Sequence, residues 1–265
     1  MSTVIGAIDA SAAAGPVLAA TKAVAHLLRA TPRAFHVREN GVTAVCAAAA
    51  AAGIELELET APVADALGRA GHRPDVAALV LGARGMPGGP SPAGHAALEL
   101  VTSSDTPLVV VPPVLNGDRM RRVLVALDGT PESSAAITRT LQAARDRAVE
   151  IVLLHVHEPA ALPPFDDHPP HELEAWTHEF IARWCPGGRD ARLEVRVGEP
   201  ARRIVEVAQE CKADLIVLSW SRSLAAGHGS VVREALERSE VPVLLVPIAA
   251  SADDHPRKSA AELHR

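Results

Sequence analysis

Tyrosine is absent from this 265-residue sequence, and three phenylalanines and three tryptophans are its only other aromatics. Single-stranded nucleic acid is held by stacking bases on aromatic side chains, so such a platform is excluded by composition. Positive charge is scarce as well. Twenty-six Lys and Arg stand against 32 Asp and Glu, a formal charge of -6, which leaves no basic footprint for a phosphate backbone. Cys46, Cys185 and Cys211 are odd in number, widely spaced and without a C-x-x-C pair. They build neither a disulfide framework nor a zinc ribbon, and buried thiols in a reduced, cytoplasmic setting are expected. No apolar run approaches the ~20 residues that cross a bilayer. The opening residues Met1 to Asp9 carry no basic stretch ahead of their apolar run, so neither a signal peptide nor membrane contact is expected.

What remains is 48% hydrophobic and 22% charged, an ordinary globular balance in which Ala, Val and Leu must build the cores. The length predicts about two domains, and an internal repeat supplies them. Val4-Ile-Gly-Ala-Ile-Asp9 matches Val123-Leu-Val-Ala-Leu-Asp128, and Phe35-His36-Val37 matches Leu154-His155-Val156 at the same offset. Further on, Ala78-Leu-Val-Leu-Gly82 matches Leu215-Ile-Val-Leu-Ser219. The stretch from Asp105 through Pro107 to Pro112 matches that from Glu240 through Pro242 to Pro247. Four elements in one order make a duplication. The expected units are 1–113 and 121–248, joined by a linker over 114–120 and followed by a disordered tail over 249–265.

Each copy reads β-α-β-α-β-α-β-α-β. Continuous apolar runs such as Arg122 to Leu127 suit strands of a parallel sheet covered on both faces. Thr130-Pro131-Glu132 reads as a helix start, with a hydroxyl at the N-cap, proline at N1 and an acid in the first turn. The Ala-rich stretch Ala44 to Ala52 reads as a helix closed by Gly53. The fold class is therefore α/β: two tandem doubly wound domains, each a five-stranded parallel sheet flanked by helices. The fifth strands, Leu108 to Val111 and Val243 to Val246, are expected to pair, because an open edge otherwise invites strangers. That arrangement is an intramolecular pseudo-dimer, and a homodimer of whole chains stays open.

Ligands of open doubly wound sheets bind beyond the carboxyl ends of the strands, at a switch point. The candidates found there are Asp9, Val37, Gly82, Gly85 and Gly94 in the first copy, and Asp128, Val156, Ser219, Arg222, Gly229 and Ser230 in the second. Glycines let backbone N–H groups approach an anion, and a helix N-terminus favours one. Each candidate also has a plainer reading: Asp closes turns, Gly and Pro make loops, and Ser230 is a natural N-cap. Trp220, next to Ser219, either covers a ligand or plugs the cleft. His155, His157, His168, His171 and His178 have no metal-ligand spacing, so no metal is expected. No G-x-x-x-x-G-K-[ST] and no G-x-S-x-G occurs, and no enzyme is expected.

Val123-Leu-Val-Ala-Leu-Asp128-Gly-Thr, Leu153-Leu-His155-Val156, Ala213-Asp-Leu-Ile-Val-Leu218, Gly229-Ser230-Val-Val and Val241-Pro-Val-Leu-Leu-Val-Pro247 together resemble the universal stress protein family. The resemblance implies an adenine nucleotide, ATP or AMP, with Asp128 and Val156 against the base and Gly229 and Ser230 against phosphate. Its phosphate loop has the pattern G-x2-G-x9-G-[ST]. Here Ser219 and Arg222 stand at the first two glycines, and only six residues separate Arg222 from Gly229. The first copy keeps Gly82 and Gly85 but has eight residues before Gly94, and His95 in place of Ser or Thr. Two functions follow from this. One is a stress-response sensor or regulator with weak or partial adenine-nucleotide binding. The alternative is a protein-interaction module, with an unidentified protein partner, that has lost the nucleotide site.

Overall fold

A computed structural model describes residues 1–37, 41–83, 100, 102–115, 119–157, 170–185, 191–223 and 228–248. The first half contributes β1 (Thr3–Ala7), α1 (Ala14–Leu28), β2 (Thr31–Val37), α2 (Val42–Ala52), β3 (Glu55–Glu59), α3 (Val63–Gly71), β4 (Val76–Gly82) and β5 (Leu108–Val111). The second contributes β6 (Arg122–Ala126), α4 (Pro131–Asp146), β7 (Glu150–His157), α5 (Pro170–Trp184) and β8 (Arg192–Val197), then α6 (Pro200–Glu210), β9 (Leu215–Trp220), α7 (His228–Arg238) and β10 (Val243–Pro247). The fourth helix expected in the first copy, the loop before it with Gly85, Gly94 and His95, and the expected tail fall almost wholly outside the described residues.

Local signals act where the sequence puts them. Thr130 caps α4, its side chain accepting a hydrogen bond from Ser133 N at 3.2 Å, with Pro131 in the first turn. Gly53 ends α2 in the left-handed region at φ 67°, which costs a residue without a Cβ little. Gly6 serves a different purpose. A Cβ there would lie 2.2 Å from Thr21 Oγ1, so α1 approaches β1 only because the side chain is missing.

All ten strands form one sheet in the order β3-β2-β1-β4-β5-β10-β9-β6-β7-β8. Every pairing is parallel except that of β5 with β10, where Leu108 faces Leu245, Val109 faces Leu244 and Val110 faces Val243 in antiparallel register. The two fifth strands therefore meet as their apolar edges predict. The order reads alike from either end, each half keeping the doubly wound sequence 3-2-1-4-5.

Strand alternation sends side chains to two cores. One holds Val109 and Leu244 with Val17, Val24, Ile137 and Leu141, beneath α1 and α4. The other holds Leu108, Val110, Val243 and Leu245 with Leu67, Ile204, Val232 and Trp220, beneath α3, α6 and α7. Both cores draw on both halves and run unbroken past the central pair. Among the described residues no helix is long and apolar enough to cross a membrane.

Cys185 lies in the first core, fully buried, and burial pushes its thiol above the usual range against the opposing pull of the Arg145 guanidinium. Cys46 is exposed. A thiol-alkylating reagent on the native protein should modify Cys46 first and reach Cys185 only on unfolding; early loss of Cys185 would contradict this packing. Leu244→Ala, at the middle of the central pair, should cost about 2–5 kcal/mol by thermal or urea melting. Because both cores cross the pair, the melt should stay a single transition, and two separated transitions would show halves that fold independently.

Candidate functional site

The switch point of the second half lies between β6 and β9, whose connections leave in opposite directions. A cleft of about 860 Å3 opens there, in the size range of small-molecule sites. Its floor includes Leu127, Leu154, Ile204 and Leu218. Asp128, His155, Val156, Ser219, Ser221 and Ser230 stand around it, together with Glu199 and Pro200 at the start of α6 and Glu234 midway along α7. The lining is thus apolar at depth and polar at the rim, as sites for a flat ring with polar edges are.

Asp128 closes the turn after β6. Its Oδ1 accepts hydrogen bonds from Thr130 N at 2.9 Å and Thr130 Oγ1 at 2.8 Å, around Gly129 at φ 80°. Asp9 makes the same turn in the first half, accepting from Ser11 N at 3.0 Å and Ser11 Oγ at 2.5 Å. The histidines one strand over are matched too. His155 Nδ1 donates to the Leu127 carbonyl at 2.8 Å, and His36 Nδ1 to that of Ile8 at 2.9 Å. These turns and cross-links belong to the fold of both copies. The exposed carboxylate of Asp128 also borders the cleft. Ser219 Oγ lies 2.7 Å from Ser133 Oγ, tying β9 to the first turn of α4.

Of the second-copy candidates, Asp128, Val156, Ser219 and Ser230 meet at the cleft. Three details differ from the sequence reading. The strand before the loop runs two residues further than expected, through Trp220, because Ser219 pairs with Val246 and Trp220 with Pro247. Trp220 is 1% exposed in the core shared by the halves, so it neither covers a ligand nor plugs the cleft. Helix α7 begins at His228, which puts Gly229 and Ser230 inside its first turn rather than at the cap. The first-turn N–H groups have no intrahelical acceptors wherever the turn starts, so nothing forces the serine to be the boundary.

Arg222 differs as well. It sits at φ 62°, a left-handed conformation that costs a residue with a Cβ roughly 1–2 kcal/mol. Its guanidinium pairs with Asp105 of the first half and donates to the carbonyl of Ile248, a residue at the border of the cleft, at 3.1 Å. It is not among the residues lining the cleft.

The first-half candidates lie elsewhere. Antiparallel pairing of β5 with β10 sends the carboxyl ends of the two sets of strands to opposite edges of the sheet, so Asp9, Val37 and Gly82 are never beside Asp128. Val37 is buried in the second core, and Gly82 packs against Val17 and Ala13. Sequence reasoning missed Glu199 and Glu234. The position of Glu199 was available, since it follows the alternating strand β8 and precedes a helix-starting proline, where the switch-point rule also looks.

Fold and cleft define a duplicated doubly wound α/β protein with one well-formed small-molecule cleft among its described residues. Residues 120–247 match the model of the universal stress protein family, and this part of the chain belongs to that family. A universal stress protein from Archaeoglobus fulgidus DSM 4304 shares the fold at TM-score 0.63 and 16% identity, over 93% of this chain and 96% of its own. A putative universal stress protein from Pseudomonas aeruginosa UCBPP-PA14 does so at 0.63 and 13%, over 93% of each chain. A universal stress protein crystallised with cAMP aligns over 49% of this chain and 98% of its own, at 29% identity and TM-score 0.39. No curated protein matches the sequence.

Thr130→Ala removes the α4 cap and one of the two donors to Asp128 Oδ1. It should lower stability by about 1 kcal/mol in denaturant melts. A variant as stable as the parent would mean that the turn is not held by this side chain.

Proposed function

We propose that the chain is a universal stress protein that binds an adenine nucleotide weakly or partially, through the cleft of its second half, and acts as a sensor or regulator in stress adaptation within the cytoplasm. The observation that carries this reading is the cleft at the second switch point, where Asp128, Val156 and Ser230 border one apolar-floored space of about 860 Å3. The family resemblance sets the adenine against Asp128 and Val156. The apolar floor provides the burial that a purine gains on leaving water, and the N-terminal end of α7 at Ser230 turns the positive end of the helix dipole toward a phosphate oxygen. We read 1–113 and 121–248 as the two domains and 114–120 as their linker, with ligand binding rather than turnover as the activity.

Arg222 favours a second reading. A left-handed arginine held to the other half stands where the family loop has a glycine, and that substitution would suit a protein-interaction module without nucleotide. Calorimetric titration of AMP and ATP into the whole chain separates the two. Saturable binding is expected, weakened at least tenfold per folded molecule in Asp128→Ala, whose melting temperature should fall modestly with the lost turn bonds to Thr130. Absence of heat at millimolar nucleotide would move the function to protein partners.

A further inference from the structure

This inference rests on the cleft of the second half being the nucleotide site, and concerns which nucleotide it takes. Three carboxylates line it: Asp128 at the end of β6, Glu199 at the N-cap of α6 and Glu234 on α7. No Lys or Arg is among the described residues that line it. Several arginines close by in the chain are held in ion pairs. Arg222 holds Asp105 and the Ile248 carbonyl. Arg202 and Arg203 both hold Glu206, at 2.7 Å each. Arg238, one turn along α7, lies 3.1 Å from Glu234.

The helix starts add to this. An α-helix N-terminus attracts anions through its unpaired N–H groups and its dipole. At α6, Pro200 removes one of those N–H donors and the Glu199 side chain brings its own negative charge to the same end. At α7, the donors around Ser230 face a space that also holds Glu234. A single phosphate has one helix end to meet; each further phosphate adds negative charge among carboxylates, with no Lys or Arg among the described lining residues to receive it.

We infer that the cleft takes adenosine or its monophosphate and discriminates against the di- and triphosphate, and that Glu199 and Glu234 set this preference. The base end is accepted on the apolar floor, and the phosphate tail is refused by charge.

The test is calorimetric titration of adenosine, AMP, ADP and ATP into the full chain in metal-free buffer, with the wild type and the double variant Glu199→Gln, Glu234→Gln. The wild type should bind ATP more weakly than adenosine by roughly tenfold, as a few screened like charges at close range require. The double variant should raise the ATP-to-adenosine affinity ratio on the order of tenfold, and added salt should narrow the wild-type gap. The ratio is insensitive to the fraction of folded protein, so a partly unfolded variant still reports. ATP binding tighter than adenosine in the wild type, or a ratio unmoved by the double variant, overturns the inference while leaving nucleotide binding intact. No binding by any of the four compounds overturns the nucleotide reading itself, and this inference with it.

Discussion

Nine strand pairings in this molecule join neighbours in one sheet, and eight of them are parallel; the exception, Leu244 against Val109, decides the rest. A half with the order 3-2-1-4-5 ends on β5, whose backbone N–H and C=O groups and apolar side chains would otherwise face water. Pairing it with its own duplicate satisfies the backbone and makes the two cores continuous. Antiparallel pairing is what a two-fold relation between copies produces. The same geometry separates the ligand edges of the two halves, so each switch point must be completed by its own half or not at all.

The neighbourhood of that pair is where the halves do reach each other's ligand edge. The start of β5 lies beside the end of β10, which brings Asp105 of the first half to Arg222 and Ile248 of the second. A left-handed arginine is unfavourable by itself. Two charge-assisted contacts offset the cost, and both come from outside its own loop. The chain thus does with an ion pair what a glycine would do by having no side chain, and the price is a guanidinium no longer available to the cleft.

Much of this was legible in the sequence because burial on both faces leaves a plain signal. Continuous runs such as Leu215 to Leu218 cannot be mistaken for exposed strands, and the duplication gave each element a second witness. Pairing of the fifth strands followed from the need to cover an edge. Boundaries were harder. Trp220 continues β9 because it is packed in a core shared by both halves, a tertiary fact that no local pattern carries. Ser230 sits within α7 rather than capping it because serine is acceptable in a first turn as well as before it. The Asp9 and Asp128 turns were visible as turns, yet only the structure shows that Asp128 borders a cleft.

Glu199 and Glu234 were invisible for a different reason. Motif reading looks for groups that would favour the expected ligand, and carboxylates beside a phosphate site are not in any such pattern. A helix start that bears Glu199 and then Pro200 has lost a donor and gained a negative charge, which is the reverse of a phosphate cradle. The fold supplies the crevice and the apolar floor whatever the rim carries, because both follow from the strand order and the core. The rim residues do not enter that packing, so they are free to change the charge of the ligand accepted without disturbing the sheet. Ligand class in this architecture is therefore a property of a few exposed positions after β8 and on α7, and the duplicated scaffold constrains it very little.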